Sequence, residues 1–298
     1  MSAAAPTETG GAPDAGLGFA LRYYWRRLHS EPLGFVGFWL VVIMVLSAIF
    51  APWIVPYDPT AIVVGPNLGA PSAEHWMGTD HLGRDTFSRV IMGGRVALLV
   101  AFTALAAALL LGVVLGLLAG FGPRWLDNAL LLLFDTVRSF PVIIFALALV
   151  ALMGPSLVSV IVVVAITTVP IYARIVRTQT LSLRNSEFIL AERAMGASFF
   201  RIISVHIMPN VVGPLLILAS MDVPMVITLE AGLSFLGMGV QPPTPSWGSI
   251  LNDGYSYIRN TPWVVVFGGL PIVLMTLGFT FFGEALRDIF DPKLQRDL

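Results

Sequence analysis

Long apolar runs separated by polar gaps set the pattern of this chain. Six runs, 33–55, 96–121, 126–153, 157–176, 207–236 and 263–286, reach the roughly 20 apolar residues that a helix needs to cross a bilayer. Two of the gaps are long, 56–95 and 237–262, and a third, 177–206, is charged with a helical period. The pattern predicts an all-α, polytopic membrane protein with about six transmembrane helices. It divides the chain into a polar tail (1–21), an N-terminal segment with the first crossing (22–55), a loop (56–95), a five-helix core (96–286) and a short closing tail (287–298).

Within the second run, Ala104, Ala108, Gly112, Gly116 and Gly120 put a small residue at every fourth position. Such a stripe lets a neighbouring backbone approach closely and predicts packing inside the bundle. Pro141, Pro170, Pro214, Pro224 and Pro271 fall within or at the ends of runs, where each removes a backbone hydrogen bond. The charged gap holds a short amphipathic helix within 186–204. Ser186 or Asn185 caps it, Glu187 suits its first turn, and Phe188, Ala191, Met195 and Phe199 share a face. Gly196 interrupts this helix and Pro209 marks entry into the next crossing. A helix of this kind either lies on the lipid headgroups or inserts its apolar face into a groove on a partner protein.

Composition agrees with a lipid-embedded chain: 56% hydrophobic and 12% charged residues, with mean hydropathy +0.84. With the N-terminus placed inside, the inner segments hold twelve Arg and Lys residues and the outer ones four, Arg138 uncounted. That bias favours both termini in the cytosol. Trp53, Trp76, Trp247 and Trp263 then fall at the outer rim. The first run exceeds the core of a cleaved leader, about 7–15 residues, and no small-residue cleavage site follows it, so it reads as an anchor. A net charge of −1 without a basic patch gives no reason to expect nucleic acid.

Candidate chemistry is sparse. The chain has no cysteine, which excludes thiol catalysis and thiolate metal sites. Its one lysine, Lys293, stands in the tail, so no phosphate-binding loop of the G-x-x-x-x-G-K type exists. None of His29, His75, His81 and His206 lies mid-span beside a serine, as an embedded hydrolase would need. His75, Asp80, His81 and Asp85 are metal-ligand types without a compact ligand spacing, and read as a solvated loop. Charge within a span is costly and marks candidate sites. Asp135 and Arg138, three apart, are expected to pair, whereas Asp222 and Glu230 are candidates to line a water-filled path.

The amphipathic segment NSEFILAERAMGASFFRIISVHIMPN (residues 185–210) resembles the "EAA" loop of ABC-importer permeases, with Ala191, Gly196 and Pro209 at matching positions. Leu190 stands where that loop has Glu, and Glu192 where it has its second Ala. Three further segments are similar to permeases of the dipeptide, oligopeptide and nickel group: GTDHLGRDTFSRVIMGGR from Gly78, LSFLGMGVQPPTPSWG from Leu233 and GEALRDIFDPK from Gly283. RYYWRRL and PWIVPYDP, on either side of the first crossing, resemble the partner conventionally lettered "C".

The resemblance implies a type I ABC importer permease-like fold in a bacterial inner membrane. It implies a second, homologous permease, two cytosolic ATPase subunits that hold ATP and magnesium, and an external solute-binding protein. Segment 186–204 becomes the coupling helix, with Phe188, Ala191, Glu192, Met195, Gly196, Phe199 and Pro209 as its contact set. Asp80, Arg84, Asp85, Trp247 and Asp253 become candidate contacts for the binding protein. Catalytic residues, metal and a cofactor of its own are not expected in this chain. A secondary transporter working alone would show internal symmetry between halves, and none is visible.

Overall fold

The computed structural model describes residues 25–290, so the expected first tail (1–21) and residues 291–298 of the expected closing tail (287–298) lie outside the described residues, whereas 287–290 belong to the last helix. In chain order the helices are α1 (Pro32–Ile49), α2 (Ala51–Ile54), α3 (Thr86–Phe121), α4 (Arg124–Arg138), α5 (Val142–Met153), α6 (Leu157–Arg184) and α7 (Glu187–Ala194). Then come α8 (Phe199–Phe235), α9 (Trp247–Ser256) and α10 (Trp263–Phe290). Five of them, α1, α3, α6, α8 and α10, are long and apolar enough to cross a membrane, and α4 with α5 qualify as a pair bent by 95°.

The small-residue stripe determines the central contact. Ala104 and Ala108 are fully buried. A Cβ added to Gly112 would lie 2.6 Å from the Cβ of Tyr172, one on Gly116 2.5 Å from the Cβ of Val176, and one on Gly120 2.7 Å from the Cγ2 of Thr180. Partner numbers rise in step along both helices, so α3 and α6 run parallel. Two parallel crossings in one chain require the segment between them to return across the bilayer. The bent α4–α5 pair makes that return, which brings the crossings to six. On the other side of the bundle Gly34 meets Ala285 and Gly37 meets Phe282, so α1 and α10 are antiparallel.

Gly116→Val should therefore drive two helices apart, since inserting methyl groups into a packed contact costs about 1–3 kcal/mol. Gly232→Ala, whose added Cβ meets nothing within 4 Å, should be neutral or stabilise the helix by roughly 0.5–1 kcal/mol. Thermal unfolding in detergent separates them: the first variant melts lower than the parent, the second does not.

Several expected boundaries change. The run 126–153 is not one helix. Pro141 has no N–H to continue α4, which closes at Ser139 with that residue's N–H bonded to the carbonyl of Asp135 at 2.9 Å. Pro170, Pro214, Pro224 and Pro271 by contrast sit inside continuous helices. The second crossing starts ten residues earlier than the apolar run, because Asp85 caps α3 by accepting the Ser88 N–H at 2.8 Å. α3 is 36 residues long, about 54 Å at 1.5 Å per residue, so its first turns stand clear of a hydrocarbon core about 30 Å thick.

Asp135 and Arg138 do not pair. Asp135 faces α6 and bonds Arg174, while Asp127, two turns earlier, holds Arg177 at 2.6 Å. Aspartates eight apart on α4 meet arginines three apart on α6 in reverse order, which makes the two helices antiparallel and leaves Arg138 on another face.

Candidate functional site

Two built regions lie at opposite ends of the bundle. The first is the turn between α6 and α8. Expected as one helix over 186–204, it is broken: α7 ends at Ala194, and α8 begins at Phe199 with a π-helical segment, Ile202–Ile207. Gly196 makes the break. Its φ is +88°, in the left-handed region that residues with a Cβ avoid. The Ala197 N–H bonds the carbonyl of Glu192 and the Gly196 N–H that of Arg193, both at 3.0 Å. These two bonds close a helix C-terminus in the Schellman pattern, which favours glycine at this position.

One side chain anchors α7. Ile189 is fully buried, whereas Phe188, Leu190, Met195, Phe199 and Phe200 are exposed, Met195 by 76% and Phe200 by 81%. Ala191 and Gly196 are exposed with them. Glu192 is half-buried, 3.5 Å from the imidazole of His206, and Phe188 packs edge-on against that ring. Pro209 lies inside α8 just after the π segment, where it has no backbone N–H to donate to the preceding turn. Of the expected contact residues, Phe188, Ala191, Met195, Gly196 and Phe199 are exposed around one turn, Glu192 is half-buried within it, and Pro209 lies further along α8. The sequence pattern missed Ile189 as the anchor, because a helix this short shows no second apolar face.

The second region is the loop 56–85 with α9. Asp80 bonds the Arg84 Nε at 2.6 Å and lies 3.1 Å from Arg89, and Asp253 lies 2.9 and 3.1 Å from the same two guanidiniums. His75 Nδ1 is 2.9 Å from Asp85, whose other oxygen accepts from the Ser88 hydroxyl at 2.7 Å. The Trp247 indole N–H donates to the carbonyl of Val90 at 2.8 Å, and its ring lies against Gly93. Glu230, fully buried, accepts from the Ser234 hydroxyl at 2.7 Å, and Ser234 accepts the Val240 N–H.

The structure corrects the picture of a solvated loop. Asp80, Arg84, Asp85 and Trp247 are buried inside the chain, and only Asp253, with a quarter of its side chain exposed, reaches the surface. They join the loop to α3 and α9 and offer little surface of their own. Asp80, His81 and Asp253 come within metal-ligand reach of one another, but Arg84 and Arg89 neutralise both carboxylates. Glu230 is likewise enclosed within the chain. Asp222 differs: it is part-buried, accepts the Tyr172 hydroxyl at 2.8 Å, and lines a cavity beside Arg138 at the α4–α5 break.

Residues 112–296 match the family model for the binding-protein-dependent transport system inner membrane component. The chain belongs to that permease family. Residues 20–71 match the N-terminal transmembrane domain of oligopeptide transport permease C. The permease is 42% identical over 274 residues to a dipeptide transport system permease protein of Alkalihalophilus pseudofirmus, covering 92% of this chain and 90% of that one. It is 38% identical to a glutathione transport system permease protein of Pectobacterium atrosepticum, covering 92% and 91%. An inward-facing structure of the MetNI methionine ABC transporter shares the fold, with a TM-score of 0.55 at 20% identity over 68% of this chain and 97% of the other. The permease is therefore a multi-pass helical membrane protein of the ABC-importer type.

Proposed function

We propose that this permease is one half of the membrane pathway of an ATP-driven importer of di- or oligopeptides in a bacterial inner membrane. A second, homologous permease completes the pathway, and two cytosolic ATPase subunits, which hold ATP and magnesium, drive it. An external solute-binding protein delivers the cargo to the end that carries the 56–85 loop and α9. Both chain termini face the cytosol, on the twelve-to-four bias of basic residues.

The observation that carries this reading is the projecting α7 turn. It presents Phe188, Leu190, Met195 and Phe200 outward in a chain whose single lysine lies outside any phosphate-binding loop. An apolar helix face presented on a turn suits insertion into a groove on a partner. The peptide cargo rests on the relatives, which carry dipeptides, di/tripeptides or glutathione by name. ATP binding brings the ATPases together and moves the turn, and the bundle shifts between two openings because the partner contacts differ in each.

Purification of the permease with its partner permease and the ATPases, followed by reconstitution with the binding protein, tests this. ATP-dependent accumulation of a radiolabelled dipeptide is the expected result. A permease that moves solute at full rate without any ATPase subunit would overturn the reading.

A further inference from the structure

The break between α4 and α5 opens a cavity of about 120 Å³, lined by Arg138, Thr167, Thr168 and Asp222 among apolar neighbours. Two of those neighbours, Val142 and Met225, also line an adjoining apolar cavity of about 520 Å³ between α5, α8 and α10. The polar groups are unusually one-sided in their hydrogen-bonding capacity. Thr167 donates its hydroxyl proton to the carbonyls of Val163 and Val164, both at 3.0 Å, and Thr168 donates to Val164 at 2.8 Å. Only their lone pairs remain available. Asp222 uses one oxygen to accept from Tyr172 and makes no ion pair among the described residues, so its other oxygen is free. This wall of the cavity therefore accepts hydrogen bonds and carries a negative charge. Arg138, across the same cavity, supplies donors and a positive charge, and it too makes no ion pair among the described residues.

We infer that Asp222, Thr167 and Thr168 form a subsite for the ammonium group of a passing solute, with Arg138 placed to meet a carboxylate on the same molecule. An ammonium has three N–H donors and no acceptor, the complement of this wall. The volume holds about four waters at roughly 30 Å³ each, enough for a charged terminus but not a whole peptide, whose remainder would occupy the apolar cavity next door. Discontinuous helices recur at substrate sites of membrane transporters because their freed backbone lines a cavity. Tyr172 acts as a positioning residue: its hydroxyl holds the carboxylate against α6. The inference rests on the importer reading for its cargo but not for its chemistry.

The natural absence of cysteine permits a direct test on the assembled complex. Val137→Cys places one thiol in this chain on the cavity wall, leaving the three acceptors in place. Its reaction with 2-aminoethyl methanethiosulfonate, an ammonium, is compared with that of the 2-sulfonatoethyl reagent, each rate divided by the rate on a free thiol. We expect the ammonium to be favoured by about tenfold, the effect of one nearby opposite charge in a partly screened site. The preference should disappear in Val137→Cys/Asp222→Asn, whose amide keeps the size and still accepts from Tyr172. A preference unchanged by Asp222→Asn, or a thiol that neither reagent reaches, would overturn the subsite. Because labelling needs neither ATP nor cargo, a preference found in a complex without ATP-driven uptake would leave the subsite standing and refute the importer reading alone.

Discussion

Gly196→Asp should abolish coupled uptake while the chain still inserts and folds. Nothing lies within 4 Å of a Cβ at this position, so the variant meets no clash inside its own chain. Two costs follow. A residue with a Cβ in the left-handed region loses about 1–2 kcal/mol, a cost that Asp reduces by bonding locally. The larger cost arises on docking, where an unpaired carboxylate enclosed at a protein contact costs roughly 2–5 kcal/mol. At about 1.4 kcal/mol per tenfold, uptake in proteoliposomes should fall by about two orders of magnitude. Gly196→Asn separates the causes: it has nearly the same shape and tolerates the left-handed conformation, and so should keep most of the uptake. Wild-type transport by the Asp variant would refute docking through this turn.

Asp80→Ala should be the most destabilising single change in the 56–85 loop. Asp80 is 2% exposed and touches both Arg84 and Arg89. Its oxygens also accept the N–H groups of Leu82 and Arg84 at 2.9 and 3.0 Å. Removing it leaves two buried guanidiniums to share Asp253. Breaking a buried pair from one side costs about 3–5 kcal/mol, so the loop should open to protease and the melting temperature should fall. Asp58→Ala, on the exposed part of the same loop, should change the melting temperature little. Equal melting of the two variants would show that the ion cluster does not hold the loop.

The crossings were legible because each spans enough apolar residues to leave little alternative, and the α3 stripe was legible because only small residues recur at every fourth position. Gly196 could be read as a break from its place after an amphipathic turn. What sequence alone hid depends on distant partners. Asp253 stands 169 residues from Arg84, so the loop reads as polar and solvated although its charges are buried against each other. Asp135 has Arg138 three residues away on the same helix, but its partner is Arg174, 39 residues off, because α4 turns that face toward α6. The bend at Pro141 was equally hidden: four other prolines are accommodated inside continuous helices, and only packing distinguishes the one that breaks a helix. Asp222 was recognisable as a costly charge, but the hydroxyl that holds it, Tyr172, lies 50 residues away.

The position of the α7 turn can be measured directly, since Met195→Cys gives this chain one thiol on a side chain that is 76% exposed. A membrane-impermeant maleimide should label it in inside-out vesicles and not in intact spheroplasts, and assembly with the ATPase subunits should block the labelling. Labelling from the outside, or labelling undiminished in the assembled complex, would contradict a cytosolic turn that receives the force of ATP hydrolysis.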